Sequence, residues 1–339
     1  MPVRTVLTIG NFDGVHIGHA ALIARARALA DAAASGEPGR VVVLAFDPHP
    51  ATVLRPQTAI ARLSTFEDRS RWLREAGADD VVRLVPERRV LNESPAEFVA
   101  RLVAEYRPLG IVEGRDFRFG RGREGDVDLL ARLGRAHGFE VAVVDPVETS
   151  LTDQTIVTAS STMIRWLVAN GRVGDAERLL GRPYQIVGEV VRGDRRGREL
   201  GFPTANVNTV CALPADGVYA GNAELPDGRR FAAAIHVGPR DTFGDRARSL
   251  EAHILDWSGP LAEPEAFRDG EYKWTLRLLF TCYLRDLAAF DSVAALVEQI
   301  RRDVERTREI VLRSVLTRGD AAIPSGVQSG HWRRREVPA

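Results

Sequence analysis

At Arg182-Pro183-Tyr184 the hydrophobic pattern of this chain changes period, and that change limits the fold more than any other feature. Before it, short apolar runs alternate with stretches of helical spacing. After it, strand-like runs follow one another, with Gly, Pro and Asp between them and a helix pattern only near the C-terminal end. The first rhythm, a repeated βα, predicts a parallel sheet covered by helices. The second predicts a small antiparallel barrel or sandwich closed by one helix. At 339 residues the chain is long enough for two domains, each burying its own core. The domains are expected at 1–183 and 184–316, followed by a loose polar tail at 317–339.

Within the first half the spacing predicts strands over 41–46, 80–84, 110–114 and 141–145, and helices over 66–75, 95–106 and 127–137. Ser94-Pro95-Ala96-Glu97 reads as a capping box with proline at the first helical position. In the second half, strands are expected over 184–191, 217–225, 229–237, 250–257 and 274–284. The closing helix is expected over 292–315, with Val293, Leu296, Val297 and Ile300 as its apolar stripe.

The richest stretch is TIGNFDGVHIGH, Thr8 to His19, between an apolar strand and an Ala-rich helix. Gly10 and Gly14 can take backbone angles closed to other residues, and Gly18 admits a close neighbour. A helix starting near Val15 sets His16 and His19 on one face of its first turn, beside free N–H groups that favour anions. On spacing alone it is equally a strand-to-helix turn bearing two solvated histidines. A metal pair fits less well, because Ile17 and Gly18 stand between the histidines and no third ligand is near.

Further candidates follow in order. The buried strand at 41–46 ends in Asp47-Pro48-His49-Pro50, which puts Asp47 and His49 just past its carboxyl end, where open α/β sheets bind ligands, although taken alone the segment reads first as a proline-rich loop with a solvated Asp and His. GRDFRFGRGREG, Gly114 to Gly125, mixes glycines and arginines with Phe117 and Phe119, so it reads either as a ligand loop or as a basic loop whose aromatics face the core. Ser160-Ser161-Thr162 cap a helix expected from Ile164, and Arg165 lies close by, a second helix start suited to phosphate. In the second half, GDRRGRELGFPTAN carries Gly193, Arg198, Gly201, Pro203, Thr204 and Asn206. Thr204 and Asn206 alternate onto one face and can both offer oxygen to Mg²⁺, although a plain turn into a strand also explains the pattern.

Charge narrows the chemistry. Lys+Arg and Asp+Glu balance at 46 each, so no global field draws the chain to nucleic acid or to an anionic membrane. Lys273 is the single lysine, which leaves almost nothing for a P-loop or Schiff-base mechanism, whereas arginine clamps are plentiful. Cys211 and Cys282 lack metal-ligand spacing and argue for a reducing compartment. With no apolar run long enough to span a bilayer and no leader pattern, a cytoplasmic protein is expected.

Taken in order, GNFDGVHIGH, FDPHP, DFRFGRGREG, SSTMIR and GDRRGRELGFPTAN resemble the bacterial bifunctional riboflavin kinase and FAD synthetase family. The resemblance implies an α/β nucleotidyltransferase domain of the HxGH type with a Rossmann-like parallel sheet, followed by an antiparallel β-barrel riboflavin kinase domain. It implies that His16 and His19 hold ATP phosphates, with Gly10, Asn11, Phe12 and Gly18 around them, and that Ser161, Thr162 and Arg165 clamp phosphate. Asp47, Asp116, Phe117 and Phe243 would shape the flavin site. In the second domain Gly193, Arg198, Gly201, Pro203 and Thr204 would hold ATP, Thr204 and Asn206 would bind Mg²⁺, and Glu251 would be the general base. The implied substrates and products are ATP, riboflavin, FMN and FAD.

The chain departs from the family pattern at His236 to Gly244, HVGPRDTFG in place of a segment like NIGTRPTFG, and at Met163, where arginine is frequent. Two narrower readings therefore stand beside the bifunctional one: an adenylyltransferase whose kinase-like domain is inactive or retargeted, and a flavin-binding sensor without turnover.

Overall fold

The computed structural model describes residues 4–32, 39–57, 60–193, 196–239, 248–257 and 274–318. By its internal contacts the chain divides into two units. One comprises Met1–Arg165 and Arg178–Gly181, the other Trp166–Glu177 and Arg182–Ala339.

Elements run in chain order as β1 (Thr5–Gly10), α1 (Ile17–Ala32), β2 (Arg40–Phe46), α2 (Pro50–Leu54), α3 (Phe66–Glu75), β3 (Asp80–Leu84), α4 (Arg88–Leu91), α5 (Pro95–Tyr106), β4 (Pro108–Gly114), α6 (Val127–His137) and β5 (Glu140–Val144). Then come β6 (Glu148–Ser150), β7 (Ile156–Thr158), α7 (Ser161–Ala169), α8 (Val173–Leu180), β8 (Tyr184–Val191), α9 (Arg196–Glu199), β9 (Ala205–Asn208), β10 (Gly217–Glu224), β11 (Arg230–Pro239), β12 (Arg248–Ile254), β13 (Thr275–Arg285) and α10 (Val293–Arg318).

The expected βα rhythm yields a 5-stranded parallel sheet in the order β3-β2-β1-β4-β5. Both faces are apolar, as strands buried on two sides require. On one face Ile23, Ala26 and Ala30 of α1 pack with Trp72 and Leu73 of α3 against Val6, Val41 and Val43. On the other, Phe98, Val99 and Leu102 of α5 and Leu130 of α6 cover Leu7, Val42, Leu44 and Ile111. The capping box forms as read: Ser94 Oγ accepts from Glu97 N, and Ser94 N donates to Glu97 Oε2 at 2.8 Å.

The second rhythm closes on itself. β10, β11, β12, β9, β8 and β13 make a closed antiparallel barrel, which decides between barrel and sandwich. β9 is short and half polar, so its pattern alone reads as a turn entering a strand.

Three expectations need correction. Helix α1 begins at Ile17, two residues later than expected, because Val15 is in the left-handed region and His16 stands at the cap, its carbonyl accepting from Ala20 N at 3.0 Å. Helix α7 begins at Ser161, so Ser160 alone caps it, its Oγ accepting from Met163 N at 3.1 Å, while Ser161 and Thr162 lie in the first turn. The buried stripe of α10 sits further along than expected. Val293 is exposed, Leu296 and Val297 are half-buried, and Ile300 packs with the more deeply buried Val304 and Val311 against the Ala232 and Leu255 side of the barrel, where Thr307 is buried too.

That helix is locked by charge as well as by packing. Arg285 on β13 forks onto the buried Asp303 of α10, with contacts of 2.7 to 3.1 Å, and Gln299 Nε2 donates to the same carboxylate at 2.9 Å. The expected tail at 317–339 lies outside the described residues except for the last turn of α10.

Barrel closure leaves little room where β10 passes β13. A Cβ on Gly221 would stand 2.1 Å from the Leu279 carbonyl oxygen and 2.9 Å from Ile235 Cδ1. Gly221→Ala is therefore expected to destabilise the barrel by about 1–3 kcal/mol through overpacking, read as a lower urea midpoint with unchanged slope.

Candidate active sites

In the parallel sheet the strand order reverses between β1 and β4, which places a crevice at the carboxyl ends of these strands. The loop after β1 is tightly wound. Phe12 (φ 49°) and Val15 (φ 40°) join Gly14 (φ 81°) in the left-handed region. For a β-branched valine this is a genuine outlier, held only because Phe12 and Val15 are both buried in the core. The special angles expected of Gly10 fall instead on Phe12, and Gly10 serves to clear the Phe12 ring, 3.2 Å from where its Cβ would be.

Asp13 anchors this loop. Its buried carboxylate accepts from Leu63 N at 3.0 Å, from Ser64 N at 3.1 Å, from Ser64 Oγ at 2.9 Å and from Arg165 Nη2 at 2.6 Å. Its own carbonyl accepts from Ser161 Oγ at 2.7 Å, and Gly14 N donates to Ser64 Oγ at 3.0 Å. GNFDGVHIGH and SSTMIR thus meet at Asp13, and Ser161 and Arg165 brace the loop. Thr162 is exposed in the same turn.

Held this way, the two histidines stack, with ring centroids 3.6 Å apart and planes inclined by 22°. His19 Nδ1 accepts from His16 N at 3.3 Å, which sets the tautomer of the neutral ring with its proton on Nε2. The close neighbour of Gly18 is His16 itself. A Cβ there would lie 3.1 Å from both Cε1 and Nδ1 of that ring.

After β2, Asp47 is buried and faces three arginines. Arg62 approaches it to 3.2 Å, Arg69 to 3.4 Å and Arg83 to 3.7 Å. Arg69 is itself buried, and its Nη1 donates to the carbonyls of Asn11 and Phe46, each at 2.8 Å. Burial lowers its pKa against the opposing pull of Asp13 and Asp47. None of these three arginines was singled out from the sequence, since nothing local marks one arginine among so many.

His49 caps α2, its Nδ1 accepting from Ala51 N at 3.1 Å, and the Asn11 amide lies 3.1 Å from its Nε2. Burial, reinforced by Arg165, pushes the His49 pKa down, so the ring is neutral at pH 7. Asn11, Asp13, Phe46, His49, Arg62 and Arg69 line a small open cleft of about 80 Å³.

After β4 the two readings of the arginine loop separate. Phe119 is buried against Phe98, and its backbone pairs with Gly125, closing the loop on itself. Phe117 is half-buried and stacks on Phe119 at 5.5 Å, and Asp116 is exposed. Arg115 and Arg121 pair with Asp145 and Glu124 along the surface.

On the barrel, three polar side chains line up across neighbouring strands. Asn206 of β9 lies opposite Glu251 of β12, and Glu251 lies opposite His236 of β11. Thr204 Oγ1 donates to Glu251 Oε2 at 3.1 Å. Gly193 leaves room for Asn206, whose Nδ2 stands 2.1 Å from the position of a Cβ. Gly201 has φ 85°, and the Pro203 carbonyl accepts from His253 Nδ1 at 2.8 Å. Arg198 is exposed on α9. Burial lowers the His236 pKa against the pull of Glu251, which leaves a neutral imidazole beside that carboxylate at pH 7. Phe243 lies outside the described residues.

A hydroxyl, an amide oxygen and a carboxylate side by side are the hard donors Mg²⁺ takes. Among the described residues no group of three or more His, Cys, Asp or Glu could hold a metal ion.

A helix start bearing stacked histidines at a sheet switch point, joined in one chain to a barrel with a Thr-Asn-Glu cluster, defines a two-part phosphoryl- and nucleotidyl-transfer protein. Its sequence matches the FAD synthetase family model over residues 2–160 and the riboflavin kinase model over residues 180–311. It is 37% identical to the bifunctional riboflavin kinase/FMN adenylyltransferase of Pseudomonas fluorescens, covering 91% of this chain and 94% of that one. The Listeria monocytogenes protein of the same name is 34% identical, with 90% and 92% covered. The chain belongs to the bifunctional riboflavin kinase/FMN adenylyltransferase family. A solved structure described as a macrolide-efflux protein from Streptococcus pneumoniae also matches, with TM-score 0.78 and 30% identity over 91% of this chain and 95% of that one. No helix among the described residues is long and apolar enough to cross a membrane.

The Asp13 junction makes its own stability claim. Asp13→Ala removes the carboxylate that Arg165 Nη2 reaches, leaving that guanidinium only the Ala61 carbonyl, and strands the two buried backbone donors of Leu63 and Ser64. It is expected to cost the first unit about 3–5 kcal/mol, measured by thermal or chemical unfolding.

Proposed function

We propose that the chain makes FAD from riboflavin in two steps. ATP first phosphorylates the ribityl hydroxyl to give FMN and ADP. A second ATP then adenylylates the FMN phosphate to give FAD and pyrophosphate. The observation that carries this reading is the presence of two separate transfer sites, one in each family-matched segment. We assign the adenylyl transfer to residues 1–183 and the phosphoryl transfer to 184–316.

For adenylyl transfer, His16 and His19 face the ATP phosphates, within a loop formed by Gly10, Asn11, Phe12 and Gly18. What supports this is the tautomer of His19 set by the His16 N–H, and the positive end of α1 close by. Arg165 and Ser161 contribute by fixing Asp13, and Thr162 adds a hydroxyl at the same helix start. Asp47, Asp116 and Phe117 border the flavin side. The charge that develops as pyrophosphate leaves is met by fixed donors, with no covalent intermediate.

For phosphoryl transfer, Glu251 takes the proton from the ribityl hydroxyl, and Thr204 orients its carboxylate through the 3.1 Å hydrogen bond. Thr204 and Asn206 would hold Mg²⁺, which neutralises phosphate charge when bound. The glycines Gly193 and Gly201, with Pro203, shape the loop over the nucleotide, and Arg198 offers it a charge. The partners are small molecules, and free Cys211 and Cys282 support a reducing, cytoplasmic setting.

Product analysis by chromatography tests the division of labour. Supplied with riboflavin, ATP and Mg²⁺, the protein is expected to form FMN and then FAD, and forming neither overturns the proposal. His19→Ala is expected to accumulate FMN, and Glu251→Ala to yield FAD only when FMN is supplied. Equal loss of both reactions in either variant contradicts the assignment. Gly18→Ala, which presses a methyl onto His16, is expected to slow FAD formation by roughly 10-fold or more and leave FMN formation unchanged.

A further inference from the structure

The strands that border the crevice part company before they end. β1 and β4 pair as far as Leu7 and Ile111. β1 nevertheless runs on beside β2 to Gly10, and β4 runs on beside β5 to Gly114. The sheet is therefore forked at the point where the two loops leave it, one carrying His16 and His19 and the other Asp116 and Phe117. Inside the fork sits Glu113, 2% exposed, a carboxyl in the interior of an otherwise apolar strand. Its Oε1 accepts from Ile9 N at 2.7 Å, in place of a carbonyl of the facing strand. A buried backbone N–H left without an acceptor is costly, so this side chain completes the ladder where the backbone does not reach.

We propose that Glu113 is a positioning residue for the first-unit reaction: its carboxyl spans the fork from β4 to β1 and sets the spacing at which the two loops flank the crevice. The inference rests on the adenylyl-transfer reading given above. Only the un-ionised carboxyl suits the place. Burial raises the Glu113 pKa well above the ordinary glutamate range; the Ile9 N–H opposes the rise by favouring the charged form, and Asp116 adds to it. A carboxylate inside the fork would be an uncompensated buried charge. Because folding raises this pKa, the associated stability is full below the ordinary glutamate range and is lost as pH rises through the folded-state value.

Glutamine keeps the acceptor oxygen and cannot ionise, whereas alanine removes the span. The full-length protein and its Glu113→Gln and Glu113→Ala variants are compared in two measurements. The first is FAD formation from FMN against pH, with riboflavin phosphorylation by the same sample as internal reference. The wild type is expected to lose FAD formation relative to FMN formation reversibly on the alkaline side, and the glutamine variant to stay flat. The alanine variant is expected to lose about 10- to 100-fold in kcat/KM for FAD formation at neutral pH, with the reference reaction unchanged. The second is the unfolding midpoint of the first unit against pH without substrate, expected to fall with rising pH in the wild type and not in the glutamine variant. An alkaline loss that persists in Glu113→Gln, or wild-type kcat/KM in Glu113→Ala, overturns the proposal. If no variant makes FAD at any pH, the adenylyl-transfer reading fails, and the unfolding series by itself decides whether Glu113 holds the fork as a neutral acid: equal pH dependence in wild type and Glu113→Gln overturns it.

Discussion

The first site depends on one carboxylate. Asp13 gathers the loop after β1, the Leu63-Ser64 segment before α3 and the first turn of α7 into one hydrogen-bonded knot. Two non-glycine residues in left-handed conformations, Phe12 and Val15, each cost on the order of 1–3 kcal/mol, so the loop would relax without such a clasp. The clasp and the core together fix the loop on which His16 stacks against His19. The arrangement of the histidine pair is a consequence of a buried side chain that touches neither of them.

The barrel site is built on a different principle. Asn206, Glu251 and His236 sit on three adjacent strands in fixed register, so their alignment follows from the ladder itself and needs no strained backbone. What the ladder cannot supply is room, and Gly193 supplies it beside Asn206. His236 adds an electrostatic condition. A neutral imidazole opposite Glu251 does not neutralise the carboxylate, so the base role is compatible with a histidine at this position.

Much of this was legible in the sequence because it is periodic or local. The helices at 66–75, 95–106 and 127–137 coincide with α3, α5 and α6, since each has its own cap and apolar stripe. The histidine pair, the Thr-Asn spacing and Glu251 were readable from short motifs. The rest was hidden because it is tertiary. Asp13 lies inside the motif, yet its partners are 50 and 152 residues away. Arg62, Arg69 and Arg83 converge on Asp47 from three separate segments. Glu113 lies in the strand expected over 110–114 and was not singled out, because only the fork between β1 and β4 gives its carboxyl a partner. The Phe117-Phe119 pair was open to either interpretation, and packing against Phe98 turned Phe119 inward.

The near absence of lysine gains meaning at the sheet edge. Arg69 is 3% exposed, and one guanidinium nitrogen reaches two backbone carbonyls from different strand ends while another faces Asp47. A lysine ammonium is a single point that sheds its proton readily when buried, and it would have to choose among those acceptors. A planar guanidinium stays charged and spans them. Asn11 follows β1 and Phe46 ends β2, so Arg69 fixes the separation of these two strand ends on one side of β1. The Glu113 carboxyl does the same between β1 and β4 on the other. The central strand is therefore held on both sides by a side chain, a cation at one edge of the crevice and a neutral acid at the other, and the histidine loop leaves from between them.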